Sequence, residues 1–106
     1  MLKLSIYRIK VPRFNKKKMN ITAVILTIKE GVDLSELGEV LKHEQETVKD
    51  WKEKGIIHDI YLRQGRKGAV IMFPELDEEA VQTFIETLPL YPYFKPAEFL
   101  GLIKNN

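Results

Sequence analysis

The stretch MNITAVILTIK, residues 19–29, decides the fold. A strand with one wet face alternates apolar and polar residues, but here Ala23, Val24, Ile25 and Leu26 follow one another without a polar break. With Ile21 and Ile28 the run is aliphatic on both faces and rich in β-branched residues, the pattern of a central strand buried on both sides. A second stretch behaves the same way: Ala69 to Phe73 is a nearly unbroken apolar strand that Pro74 ends.

Downstream of the first strand, Gly31 turns the chain. Asp33 is a good N-cap, and Glu36 completes a capping-box-like pair. The spacing predicts a helix from there to about Lys54, with Gly55 as its C′ stop. Leu37, Val40, Leu41, Val48 and Trp51 fall in one stripe, and Glu44 lies in the middle of it, where a surface helix has no reason to place a carboxylate. Ile56 to Gln64 reads as a strand, and Gly65-Arg66-Lys67-Gly68 as a hairpin turn whose glycines supply positive φ. Asp77 caps a second helix with Glu78 and Glu79 at its N-terminus, and Val81, Phe84, Ile85 and Leu88 form its apolar stripe. Pro89 and Pro92 stop it, and Phe99 to Lys104 is a last short strand.

The order from residue 19 is therefore β-α-β-β-α-β, an α+β ferredoxin-like unit with both helices on one face of a four-stranded antiparallel sheet. Two helices cover one face only, whereas the central strands are apolar on both. The expected cover for the second face is the sheet of another copy, so a homodimer is expected.

Composition fits one domain. The chain has 106 residues, 44% hydrophobic and 30% charged, an ordinary globular balance for which disorder is not expected. With no cysteine there is no disulfide framework, thiolate zinc site or cysteine nucleophile. No apolar run is long enough to span a bilayer and no signal-peptide pattern opens the chain, so the expectation is a cytoplasmic protein with no membrane partner. Charge is uneven. Residues 1–18 hold seven basic residues and no acid, or +7, while the remainder holds ten basic and 15 acidic residues, or −5. Domain organisation is read as a basic N-terminal extension, 1–18, followed by the α+β domain, 19–106. Lacking an aromatic stacking array, the extension is read as a solvated strand that neutralises its acidic domain rather than as a nucleic-acid arm.

The segment Leu88-Pro89-Leu90-Tyr91-Pro92-Tyr93 resembles the Leu-Pro-Leu-aromatic-Pro-Tyr segment of muconolactone isomerases, small enzymes of the dimeric α+β barrel superfamily. The resemblance extends upstream through Glu79 and Ala80, Phe73, Gly65, Tyr61 and Gly55. It covers roughly residues 41–102 well and 19–40 loosely, and residues 1–18 precede the point where the family normally starts. It implies the fold just derived, pairing through sheets into a homodimer or a larger ring of dimers, and a shift of a double bond in a small unsaturated lactone acid during aromatic-compound catabolism, with no cofactor and no metal.

Such a shift needs one proton shuttle and a group that holds enolate charge. Glu44 is the candidate shuttle, because a carboxyl among apolar neighbours has its pKa pushed towards neutrality; the alternative is a glutamate that snorkels out or pairs with Arg63. Tyr93 is the candidate donor to the enolate oxygen, and Arg63 can grip a substrate acid bidentately or form a strand-edge ion pair. Tyr61 and Tyr91 can line a pocket for a flat ligand, or the tyrosines can sit at a subunit interface. Trp51 reads as a core anchor, and His43 and His58 as surface or structural residues. A non-catalytic ligand-binding or assembly module is the other reading of the same scaffold. A small monooxygenase is a third, for which no residue set argues.

Overall fold

The computed structural model describes residues 19–105; the basic extension read over 1–18 lies outside the described residues. Four strands, β1 (Met19–Thr27), β2 (Asp59–Leu62), β3 (Gly68–Pro74) and β4 (Glu98–Lys104), alternate with two helices, α1 (Gly38–Glu53) and α2 (Glu78–Ile85). The sheet order is β2-β3-β1-β4 with every pairing antiparallel. The two doubly apolar strands are the central pair, as their composition requires.

Register sorts the side chains onto two faces. Val24 stands opposite Ile71 and Phe99, Thr22 opposite Phe73, and Ile60 opposite Ile71; these share the helix-covered face. Trp51 of α1 meets Phe73 at 5.9 Å and Phe84 of α2 edge-on at 5.4 Å, so both helices lie on that face. Val24, Leu26, Ile71, Phe73, Val81 and Ile85 are sealed between the layers. The one buried polar residue among those described, Thr22, donates its hydroxyl to the Leu76 carbonyl at 2.9 Å and so carries no unmet hydrogen bond.

The opposite face carries Ile21, Ala23, Ile25, Val70, Met72, Leu100 and Leu102 by the same register. Among the described residues, no helix covers it. Leu100 and Leu102 remain 48% and 41% exposed, and Tyr61 on the same face 56%. Among the described residues, no helix is long and apolar enough to cross a membrane.

Several local expectations shift. Asp33 does cap, but its carboxylate accepts from the Ser35 N–H, and what it starts is one 3-10 turn, Leu34–Glu36. Leu37 then leaves helical geometry (φ −113°, ψ 38°), and α1 begins only at Gly38. Asp and Ser two residues apart form a local turn that competes with the helical start. The far end matches expectation: Gly55 sits at φ +77°, the Ile56 N–H reaches the Trp51 carbonyl and the Gly55 N–H that of Lys52, a Schellman close. The second helix stops at Ile85, ahead of Pro89, in tight turns closed by Thr87 and Leu88 N–H groups. The strand expected over 56–64 is regular only from Asp59 to Leu62.

Candidate active site

Glu44 is the carboxylate that the helix pattern singled out, and it is half-buried. At i±3 and i±4 it is flanked by Val40, Leu41, Thr47 and Val48, of which Val40, Leu41 and Val48 pack on the core. One carboxyl oxygen accepts the backbone N–H of Leu90 at 2.9 Å. Among the described residues no cation lies within ion-pairing distance of it, and the alternative of a pair with Arg63 is not realised. Its pKa is raised, chiefly because burial penalises the charged form; the Leu90 N–H opposes that in part.

Leu90 belongs to the loop that follows α2. Its residues Leu88, Leu90 and Phe94 are buried, and Tyr93 packs partly against the same core. The loop closes on itself through Tyr91 N–H to the Leu88 carbonyl (2.9 Å) and Tyr93 N–H to the Leu90 carbonyl (2.8 Å). It is tied to the end of β1 through Lys29 N–H to the Tyr93 carbonyl (2.8 Å) and Lys95 N–H to the Thr27 carbonyl (2.7 Å). The Glu44 carboxyl thus meets the backbone N–H of Leu90, and the backbone N–H of Tyr93 meets the Leu90 carbonyl.

Tyr91 points to a different place. It lines an open hollow of about 310 Å³ with Lys29, Pro92, Phe94, Lys95 and Pro96. A larger open groove, about 550 Å³, runs along Asn20–Thr22, Glu75–Asp77 and Gly101–Ile103. Glu44 lines neither.

Arg63 and Tyr61 are not brought to Glu44. Tyr61 stands opposite Val70, which in turn stands opposite Ile25, so it belongs to the open face. Arg63 follows the same parity. Its guanidinium donates to the Thr27 hydroxyl, passing the position of Gly68, which is paired to Thr27 and has no side chain to obstruct it. The sheet therefore stands between these two residues and Glu44. Strand parity puts Ile60 on the core side and Tyr61 and Arg63 away from α1; that signal was present in the sequence and separates the pair from the helix carboxylate. The signal missed altogether was the Leu90 amide, because a backbone donor has no residue type to betray it.

The histidines sit as expected. His43 lies on the surface beside Glu46 (3.5 Å) and Glu39 (4.0 Å), and His58 is exposed.

The α+β topology, the half-buried carboxyl of α1 and the Leu88–Tyr93 loop that holds it occupy one continuous part of the chain. The family model for muconolactone delta-isomerase matches residues 21–98, from β1 to the first residue of β4. The chain belongs to the muconolactone delta-isomerase family. No curated protein matches the chain. The family span takes in Glu44, Tyr61, Arg63, Tyr91 and Tyr93, and leaves residues 1–20 outside it.

Proposed function

We propose that this member of the muconolactone delta-isomerase family is a cofactor-independent isomerase that moves a double bond in a small unsaturated lactone acid. The observation that carries the reading is Glu44: a half-buried carboxyl on the core side of α1, with no cation paired to it among the described residues, held by one backbone N–H and raised in pKa by desolvation. In the proposed step Glu44 takes a proton from a carbon next to the conjugated system. The C–H bond breaks, its electron pair moves into the carbonyl as an enolate, and an O–H bond forms on Glu44. The reverse transfer at the far end of the conjugated system breaks that O–H and makes the new C–H, so no atom or charge is gained or lost. A carboxyl with a raised pKa suits both halves, because the same group must act as base and then as acid. Tyr93, in the same loop as Leu90, is the proposed donor to the enolate oxygen.

Arg63 and Tyr61 lie across the sheet, so the reacting centre is confined to Glu44 and the loop. Their face is the one proposed to meet a second copy. It has an apolar centre of Ile21, Ala23, Ile25, Val70 and Met72, and a polar edge at Asp59 and Arg63, the layout of a protein interface. Cytoplasmic location and a role in aromatic-compound breakdown belong to the same proposal.

The test is direct: muconolactone offered to the purified protein, followed by loss of substrate and appearance of the shifted isomer, with Glu44→Gln alongside. Turnover by the wild type and a loss of about 10²–10⁴-fold in the variant is expected; a wild type without turnover sinks the substrate assignment. One observation favours a second reading, a non-catalytic module. Glu44 satisfies the Leu90 amide and lines neither open hollow, which is what a purely structural clasp would do. In that case the variant and the wild type are equally inert.

A further inference from the structure

We propose that the Leu90 backbone N–H is the positioning group of the Glu44 shuttle, and that it selects which carboxyl oxygen exchanges the proton. The inference rests on the reading of Glu44 as the shuttle.

The donors of the turn show why this amide is special. Pro89 and Pro92 have no N–H. The Tyr91 N–H is spent on the Leu88 carbonyl and the Tyr93 N–H on the Leu90 carbonyl. Leu90 alone, among residues 89–93, directs its N–H out of the turn, and it meets Glu44 there. Leu90 as a whole is only 6% exposed, so without Glu44 the amide would stay poorly solvated and unmatched.

The donor is also anchored on both sides. The turn is held at Leu88, Leu90 and Phe94 by burial and at the end of β1 by the Lys29 and Lys95 amides. A fixed donor orients the carboxyl, not the reverse. The two oxygens of a free carboxylate are equivalent, and this contact makes them different. The oxygen that accepts the Leu90 N–H has one lone pair engaged and becomes the less basic of the two, and in the protonated carboxyl the C=O oxygen is the better acceptor for that N–H. The proton is therefore taken and returned by the other oxygen, and its direction in space is set by the turn. Among the described residues, the titratable groups near this contact are few. At the flanking positions of α1, Val40, Leu41, Thr47 and Val48 carry none, and the Thr47 hydroxyl is turned to the His43 carbonyl. His43 itself is paired to Glu39 and Glu46 on the exposed side. From the loop come Tyr91 and Tyr93.

Two measurements test this, and one needs no turnover. In the wild type, the Leu90 amide proton shift, followed by NMR across pH, should move with the titration of the Glu44 carboxyl, and Glu44→Gln should flatten it. A Leu90 amide indifferent to pH overturns the proposal. Next, leucic acid incorporated at position 90 turns that one amide into an ester and removes only its N–H. The Glu44 titration should move upward, the pH–rate profile should move with it, and kcat should fall on the order of 10²-fold with KM little changed. A contact that is only structural would lower the unfolding midpoint and move the Glu44 titration, yet leave kcat at its wild-type level; that result also overturns the proposal. The NMR arm stands even if the ester protein fails to fold. An amide that tracks Glu44, in a protein whose Glu44→Gln variant keeps full turnover, retains the contact but defeats the shuttle on which the inference rests.

Discussion

Replacing Gly68 with alanine should be the most damaging methyl group that can be added to this fold. Gly68 opens β3 at φ +145°, a region that L-residues rarely enter, and a Cβ built there would lie 1.9 Å from the Leu26 carbonyl oxygen and 2.8 Å from its carbon. Those atoms are backbone of the central strand. They can retreat only by opening the β1–β3 ladder at Leu26↔Ala69 and Thr27↔Gly68. Backbone strain of this kind costs about 1–3 kcal/mol. The flanking bonds, Ile28 N–H to Lys67 and Arg63 N–H to Gly68, are worth about 1 kcal/mol each if parted. Together the loss should be about 3–5 kcal/mol, a large share of the 5–15 kcal/mol, roughly, that holds a domain together. Urea unfolding measures it. Gly38→Ala is the internal control: nothing lies within 4 Å of its built Cβ, it is the first residue of α1, and the change should stabilise by about 0.4–1 kcal/mol. A Gly68→Ala protein that loses less than about 1 kcal/mol would refute both the strand register and the reasoning from it.

Other consequences follow from the same geometry. Burial raises the Glu44 pKa above its ordinary 4.5, so the fold gains from protonating it. That gain is complete below the unfolded value and disappears as pH rises through the folded one. Glu44→Gln has no such decline, so its unfolding midpoint should overtake that of the wild type as pH is raised; parallel curves would show that the carboxyl is not desolvated. Leu100→Asp places a charge at a position already 48% exposed in the single chain. The variant should fold and sediment as a monomer where the wild type sediments as a dimer, and an unchanged oligomer would mean that the open face is not the interface. Trp51→Ala, which removes the ring that joins Phe73 to Phe84, should cost about 3–5 kcal/mol in the same urea assay.

The architecture was readable in the sequence because its signals are redundant. Two central strands announce themselves by being apolar on both faces, Gly55 closes α1, and Asp77 opens α2 by accepting from the Ala80 N–H. What was hard to read was governed by competition between local motifs. Asp33 and Ser35 spend their hydrogen bonds on each other, so the capping pair expected with Glu36 yields a 3-10 turn and the helix starts five residues after Asp33. The candidate site divides in the same way. Glu44 was visible because a charge in an apolar stripe violates the helix pattern. Arg63 and Tyr61 were grouped with it by chemical type, whereas parity along β2 sends them to the other face. The Leu90 amide carried no compositional mark, yet the two prolines beside it foretold that few donors would remain in that turn.

The central claim is that Glu44 moves a proton to and from carbon. Incubating muconolactone with the protein in deuterated water and following the label by NMR tests it at the atom concerned. Deuterium should enter the substrate and its isomer with the wild type and fail to enter with Glu44→Gln. Exchange at the wild-type rate in that variant would contradict the account.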